Sequence, residues 1–461
     1  MTTCDLLVLG GGPAGIAAAQ RAARRGLSVT LLERADHIGG ASASFEVAGV
    51  RVDHGSHRLH RTIEPRILTE LHRLLGDDLQ LRQRNGRIRL AGRWLAFPLR
   101  AADLASSLPP AFAARAAWDT VTGWTRTART DTFAEVVRAR LGRAMLERFY
   151  GPYAVKLWGL PAEELAGEQA RRRISADSPW KILRQVVAGA DPAARTFRYP
   201  RRGFGQLWEA LAGDAASAGA DIRLDTPVTA VDEVAGRLRV RTPGGELTAR
   251  HVWSTIPLPA LARAWSPAPP PQVVADARAL RSRAMVLAYV VVPHGQWTPF
   301  DAHYLPESWT PVTRISEPRN YRDDPDAPDG RTVLCAELPC DVGDELWRAD
   351  DATLRGLVVD ALHGAELPVP VIDEVASRRL PNAYPILTPD APERIDRLEA
   401  WAAQRPGLLT FGRQGLFVHD NSHHAMSMAW AAVDALTADG ALDAATWAQA
   451  RQGFRAHVVE D

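Results

Sequence analysis

An α/β fold with a Rossmann-like domain is predicted by three observations. Residues 6–9 form a short apolar run, and the glycine-rich turn Gly10-x-Gly12-x-x-Gly15 follows it directly. An Ala-rich stretch of helical composition runs to Arg25 and stops at Gly26. A second apolar strand, residues 27–32, then ends in Glu33. A continuous apolar run suits a parallel strand buried on both faces. Gly10 permits the tight turn, Gly12 lets the backbone approach a pyrophosphate, and Gly15 lets helix and strand pack closely. Pro13 and Ala14 open the helix, whose N-terminus offers N–H groups and the positive dipole end to phosphates. Glu33, with Arg34 beside it, stands 18 residues beyond Gly15, where a carboxylate accepts hydrogen bonds from ribose hydroxyls.

At 461 residues the chain is long enough for two or three domains. A net charge of +1 with 24% charged residues leaves no basic surplus, so no nucleic-acid partner is expected. Cys4, Cys335 and Cys340 make neither a disulfide framework nor a zinc spacing. No apolar run reaches the ~18 residues of a membrane span, and no cleavable leader precedes the first strand. A cytoplasmic protein without membrane association, acting on a small-molecule substrate, is expected. Nothing in the sequence sets an oligomeric state.

The residues after Glu33 indicate which dinucleotide is bound. Gly39 and Gly40 are followed by Ala41, Ser42 and Ser44, and the segment VRVDHGSHRLHRT then carries Asp53, Gly55, Ser56 and His57. An NAD-binding domain needs no second glycine pair here. In this stretch the sequence resembles the FAD superfamily of amine oxidases, phytoene desaturases, protoporphyrinogen oxidases and UDP-galactopyranose mutases. The resemblance implies FAD as cofactor, with Gly39, Gly40, Ala41 and Ser42 along its pyrophosphate and ribityl chain. It places Gly55, Ser56 and His57 against the isoalloxazine, the backbone at Val228 at the adenine, and Thr255 of the STIP segment near the cofactor. Many members carry arginine where this chain has Ala41. No second GxGxxG follows a strand, so a separate NAD(P)H domain is not expected and the substrate should reduce the flavin.

The stretch FGRQGLFVHDNSHHAMSMAWAAVDAL, residues 411–436, crowds His419, His423 and His424 ahead of a helical pattern. The same resemblance implies a glycine at a strand end followed by a long helix aimed at the cofactor. Gly412, Arg413 and the N–H groups of His424, Ala425 and Met426 would then be cofactor contacts, on a helix over about residues 425–436. A metal site is the rival reading, since His419 and His423 stand four apart and His54, His57 and His60 recur at three-residue spacing. With no HExxH and no Cys partner, no metal is expected. Each histidine also has a plainer reading, as a satisfied polar residue at a helix start.

Between these ends, ERFYGPYAVKLWGLPAEELAGEQARRRIS is similar to the PY-x-x-K-x-W-G segment of the protoporphyrinogen oxidase-like group, and GSHRLHRT to the mutases. Mutases follow the C-terminal Gly-Arg with an arginine and a tyrosine, where this chain has Val418 and His419. The expected organisation is a discontinuous FAD-binding domain over residues 1–70, 190–268 and 385–461. A mostly helical insertion, 71–189, contains helices over 64–75, 133–150 and 180–187 and a β pair over 87–95. An α+β substrate domain with an antiparallel sheet spans 269–384. Trp158, Trp180 and Trp208 are either pocket walls or core. The expected reaction is that of an FAD-dependent dehydrogenase or oxidase, moving a hydride from a C–H bond of a small cyclic or apolar metabolite to flavin N5. His57 and His419 are its candidate acid/base groups and Arg413 an anion anchor. A redox-neutral isomerase of the mutase type and a non-catalytic flavin-binding partner protein are the alternatives.

Overall fold

The computed structural model describes residues 2–97, 130–173 and 196–459. The expected helix over 180–187, with Trp180, lies outside them. The chain opens with β1 (Thr2–Leu9), α1 (Pro13–Arg24) and β2 (Val29–Leu32). Pro13 suits the first helical position, where its missing N–H costs nothing. Gly26, at φ +84°, ends the helix in the left-handed region.

β1 is the centre of a seven-stranded sheet drawn from distant parts of the chain. It pairs in parallel with β2 on one side and with Gly245–Ser254 on the other. Asp221–Arg223 extends the sheet beyond β2, and Arg237–Thr242 and Ala230–Val234 extend it beyond Gly245–Ser254. Leu408–Thr410 joins in parallel alongside residues 252–254. Side chains alternate across a strand, so Leu6 and Val8 enter a core with α1 and the helices Gln206–Ser217 and Ser422–Asp434. Leu7 and Leu9 enter a second core with Leu258–Ala264, Pro271–Ala279 and Ala391–Ala403. The unit has three layers, helices covering both faces of the sheet.

A second seven-stranded sheet is antiparallel except where Ala302–Tyr304 runs parallel to Gly86–Leu90. Its long strand Arg281–Val292, second from one edge, sends Val286, Ala288 and Val290 toward the helix Asp351–Gly364. Met285, Leu287, Tyr289 and Val291 face the opposite way, onto Val47, Val50 and Val52 of the hairpin Ser44–Val47/Val50–Asp53. A piece of the N-terminal segment is thereby seated on the second sheet. Helices Phe133–Leu141, Gly151–Trp158 and Gly167–Arg173 form a separate helical cluster.

Gly245–Ser254 is a single strand, first pairing with its hairpin partner and then with Leu408–Thr410. Val228, which the resemblance places at the adenine, lies in the loop after the strand Asp221–Arg223. Several expectations are corrected. The helix expected over 133–150 breaks at Gly142, φ +87°, and resumes with a π-helical turn, Leu146–Tyr150. Trp158 and Trp208 are fully buried core residues, not pocket walls.

Candidate active site

The first glycine turn is closed from three directions. Gly10 N–H donates to Leu32 O (2.8 Å), and Thr255 Oγ1 donates to Leu9 O (2.9 Å). A Cβ at Gly15 would lie 1.9 Å from Gly10 O, so only glycine lets α1 start this close to β1. A side chain at Gly12, by contrast, would meet nothing within 4 Å; the turn is open above that residue. Glu33 Oε2 accepts the Gly11 N–H (2.6 Å) and Oε1 accepts that of Ala35 (2.9 Å), which fixes the carboxylate beside the turn. Arg34 is exposed.

The second glycine pair meets the first turn. Gly39 N–H donates to Gly11 O (2.8 Å), and a Cβ at Gly40 would lie 3.4 Å from Gly12 Cα. Ser42 Oγ donates back to Gly39 O (3.0 Å), while Trp208 Nε1 donates to Ser42 O (3.1 Å). Two histidines grip the same turn. His54 Nδ1 is 3.2 Å from Gly40 O, and His57 Nε2 is 3.0 Å from Ala41 O and 2.9 Å from His54 O. Carbonyls only accept, so His57 carries its proton on Nε2 and keeps its lone pair on Nδ1. Burial pushes the His57 pKa down and that of His54 to about 4.

Gly412, at φ +80°, arrives from the far end of the chain. A Cβ there would lie 2.6 Å from Ala14 Cβ and 4.0 Å from Thr255 Cβ. Gly10 to Gly15, Glu33, Gly39 to Ser42, Thr255 and Gly412 therefore converge on one place. Arg413 donates to Ala383 O (2.6 Å) and Asp420 O (3.1 Å), and its guanidinium lies 5.5 Å from the Tyr384 ring centroid. His419 is buried, with its ring 5.1 Å from that of Tyr384. The following helix starts at Ser422, not near residue 425. Ala425 N–H is accordingly bonded to Asn421 O (3.2 Å), and His424 Nδ1 accepts the Asn421 N–H (3.3 Å) in a capping box. Ala425 and Met426 lie within the helix, and the outward first-turn donors are those nearer Ser422 and His423.

Sequence reasoning missed a buried ionic wall next to the Gly55 loop. Arg314 Nη2 and Glu337 Oε1 pair at 2.6 Å, and Glu337 Oε1 also accepts the Ser56 N–H (3.0 Å). Arg58 pairs with Asp301 at 3.1 Å and donates to the Tyr304 hydroxyl (3.3 Å); Ser56 Oγ and Tyr321 OH are 2.5 Å apart. Both acids are at most 5% exposed as side chains, so each pair must be well hydrogen-bonded to persist. Only the register of strands Arg314–Ser316 and Thr332–Cys340, which sets Arg314 opposite Glu337, could have revealed this. Lys156 of the PY-x-x-K-x-W-G segment donates to Leu305 O (2.5 Å) and Glu307 O (2.9 Å), and burial pushes its pKa down to about 7.

The family profile described as flavin containing amine oxidoreductase matches residues 13–426. The chain belongs to that family. The enzyme is accordingly an FAD-dependent oxidoreductase. It is 25% identical over 420 residues to a coproporphyrinogen III oxidase from Propionibacterium freudenreichii subsp. freudenreichii, covering 77% of this chain and 76% of that one. Over 72 residues it is 42% identical to an (S)-6-hydroxynicotine oxidase from Paenarthrobacter nicotinovorans, covering 15% of this chain and 17% of that one. In fold it is similar to a reduced UDP-galactopyranose mutase, with TM-score 0.80, 21% identity and 94% of each chain covered. Among the described residues no helix is long and apolar enough to cross a membrane.

The buried imidazoles also make a statement about acid stability. Burial holds His54 and His423 at about 4, against about 6.5 in an unfolded chain. Between those values the unfolded chain binds protons that the folded one refuses, so stability rises with pH there. The thermal midpoint should fall steadily as pH drops from about 6.5 toward about 4 and stay level just above that range. His54→Asn should flatten the slope; an unchanged slope would mean that His54 is not held neutral.

Proposed function

We propose that the enzyme oxidises a C–H bond of a small cyclic metabolite, and that the converging glycine turns hold its FAD. The observation carrying this reading is the meeting of three remote segments at one place, open above Gly12, at the start of α1, whose first-turn N–H groups have no partner within the helix. Gly10, Gly12, Pro13, Ala14 and Gly15 would hold the pyrophosphate with Gly39, Gly40 and Ser42, and Glu33 would take the ribose through its remaining lone pairs. Thr255, Gly412 and the helix start near Ser422 would close the same groove. Bound FAD supplies the hydride acceptor.

The chain's own residues orient the substrate, exclude water and hold the proton released with the hydride. His57 Nδ1 keeps a free lone pair while Nε2 is pinned, so His57 is a candidate base of fixed orientation. His419 is the second candidate, and Arg413 acts on backbone carbonyls, which favours a scaffolding role for it over an anion anchor. The cyclic substrate class is supported by the two oxidases named above, whose substrates are ring compounds.

Anaerobic mixing tests the reading. Coproporphyrinogen III or (S)-6-hydroxynicotine, or a ring analogue of either, should bleach the yellow enzyme without an added reductant. His57→Gln, whose amide nitrogen reaches the place of Nε2, keeps a donor for Ala41 O and removes the base, so it should hold FAD yet bleach at least ~10²-fold more slowly. If no ring compound bleaches the flavin while UDP-galactopyranose is isomerised by the pre-reduced enzyme, the net-oxidation reading fails.

A further inference from the structure

We infer that the C-terminal tail belongs to the flavin site: His457 is a positioning residue that, through Asp420, sets Arg413, Gly412 and the start of the helix Ser422–Asp434. The inference rests on the proposed placement of FAD at the glycine turns. Asp420 is fully buried and holds together four parts of the chain. Its Oδ2 lies 3.0 Å from His457 Nδ1, and its Oδ1 lies 3.4 Å from Arg172 Nη1 and 3.9 Å from His424 Nδ1. Its backbone carbonyl accepts the Arg413 bond at 3.1 Å. Arg413 adjoins Gly412, whose approach to Ala14 and Thr255 closes the first glycine turn.

The tail reaches this knot by two further contacts. Val459 N–H donates to Arg172 O (2.8 Å), and the His457 ring stacks on that of His424 at 4.3 Å with 13° between planes. His424 in turn caps the helix Ser422–Asp434, and Thr62, in the loop beyond His57, lies 3.4 Å from His423 Nε2. Releasing His457 would free one oxygen of a buried carboxylate and unstack the ring that braces the helix start.

A bound cation is the competing explanation, because one ligand atom each from Asp420, His424 and His457 lie within 4.8 Å of one another. Two features disfavour it. Near-parallel stacked rings cannot both aim in-plane lone pairs at a shared ion, and Arg172 already neutralises the carboxylate.

Full-length His457→Ala should raise the FAD dissociation constant about ten-fold, the order carried by one charge-assisted hydrogen bond. A chain ended after Ala456 should do at least as much. His457→Asn, whose amide nitrogen takes the place of Nδ1 and can still donate to Asp420, should return to within about two-fold of the parent. A parent that takes up no FAD sinks the placement on which this rests. A parent that binds FAD, with His457→Ala unchanged or His457→Asn no better than His457→Ala, overturns the inference alone. Loss of flavin binding on chelation, restored by zinc alone, overturns it in favour of a metal centre.

Discussion

Gly15→Ala is expected to give a colourless protein. The added Cβ would stand 1.9 Å from Gly10 O and 3.0 Å from Gly10 C, both backbone atoms of the turn itself. Neither can rotate away as a side-chain tip would, so α1 must retreat and the turn must open. FAD affinity should fall by at least ~100-fold, because N–H groups that have moved by ~1 Å no longer converge on a phosphate. Gly12→Ala is the informative partner. Its Cβ meets no protein atom within 4 Å, so the apoprotein should melt at the parent's temperature while flavin affinity still drops. Titrating each apoprotein with FAD and recording its thermal midpoint separates the two. Full flavin occupancy in Gly15→Ala would remove the glycine turn from the cofactor site.

Asp53→Ala should be the most destabilising single change in the hairpin Ser44–Val47/Val50–Asp53. The side chain is 1% exposed and accepts from the Tyr199 hydroxyl, from Ser44 Oγ (2.6 Å) and from Phe204 N–H (2.9 Å). Its carbonyl accepts from the Tyr289 hydroxyl of the second sheet (2.7 Å). Alanine would leave the buried Tyr199 hydroxyl and Phe204 N–H, and the half-buried Ser44 hydroxyl, without this acceptor. A loss of about 3–5 kcal/mol is expected, a large part of the roughly 5–15 kcal/mol that holds a typical domain together. Asp53→Asn keeps an acceptor oxygen and should cost less. Denaturant unfolding followed by tryptophan fluorescence measures both, and a loss below ~1 kcal/mol for alanine would mean that the donors find other partners.

How much was legible beforehand follows from the kind of signal each element carries. β1, α1 and β2 could be read because both faces of β1 are buried and the glycines sit where backbone geometry demands them. The strand Glu374–Ile386 could not. Its residues are mostly half-exposed or exposed, and Pro381 and Pro385 argue against a strand. It survives as the edge of the second sheet, with a register shift opposite Arg283 to Met285 that takes up the residues around Pro381. Gly142 stopped a helix whose flanking apolar spacing looked continuous, an event that a positive φ decides and periodicity does not. In the candidate site the glycine turns were visible as motifs. The His54 and His57 grip on Gly40 and Ala41, and the Arg314 to Glu337 pair, depend on which chain segments lie side by side. Spacing along one segment carries no information about that.

The placement of β1 between Val29–Leu32 and Gly245–Ser254, with Leu408–Thr410 added last, constrains how the polypeptide matures on the ribosome. β1 emerges ahead of all its partners and must wait for residues 245–254 before its second neighbour exists, and the sheet closes only when residues near 410 are out. Until then an apolar strand edge and the alanine face of α1 stay uncovered, a state that invites capture by chaperones. Shortening the chain from its far end would therefore injure its beginning.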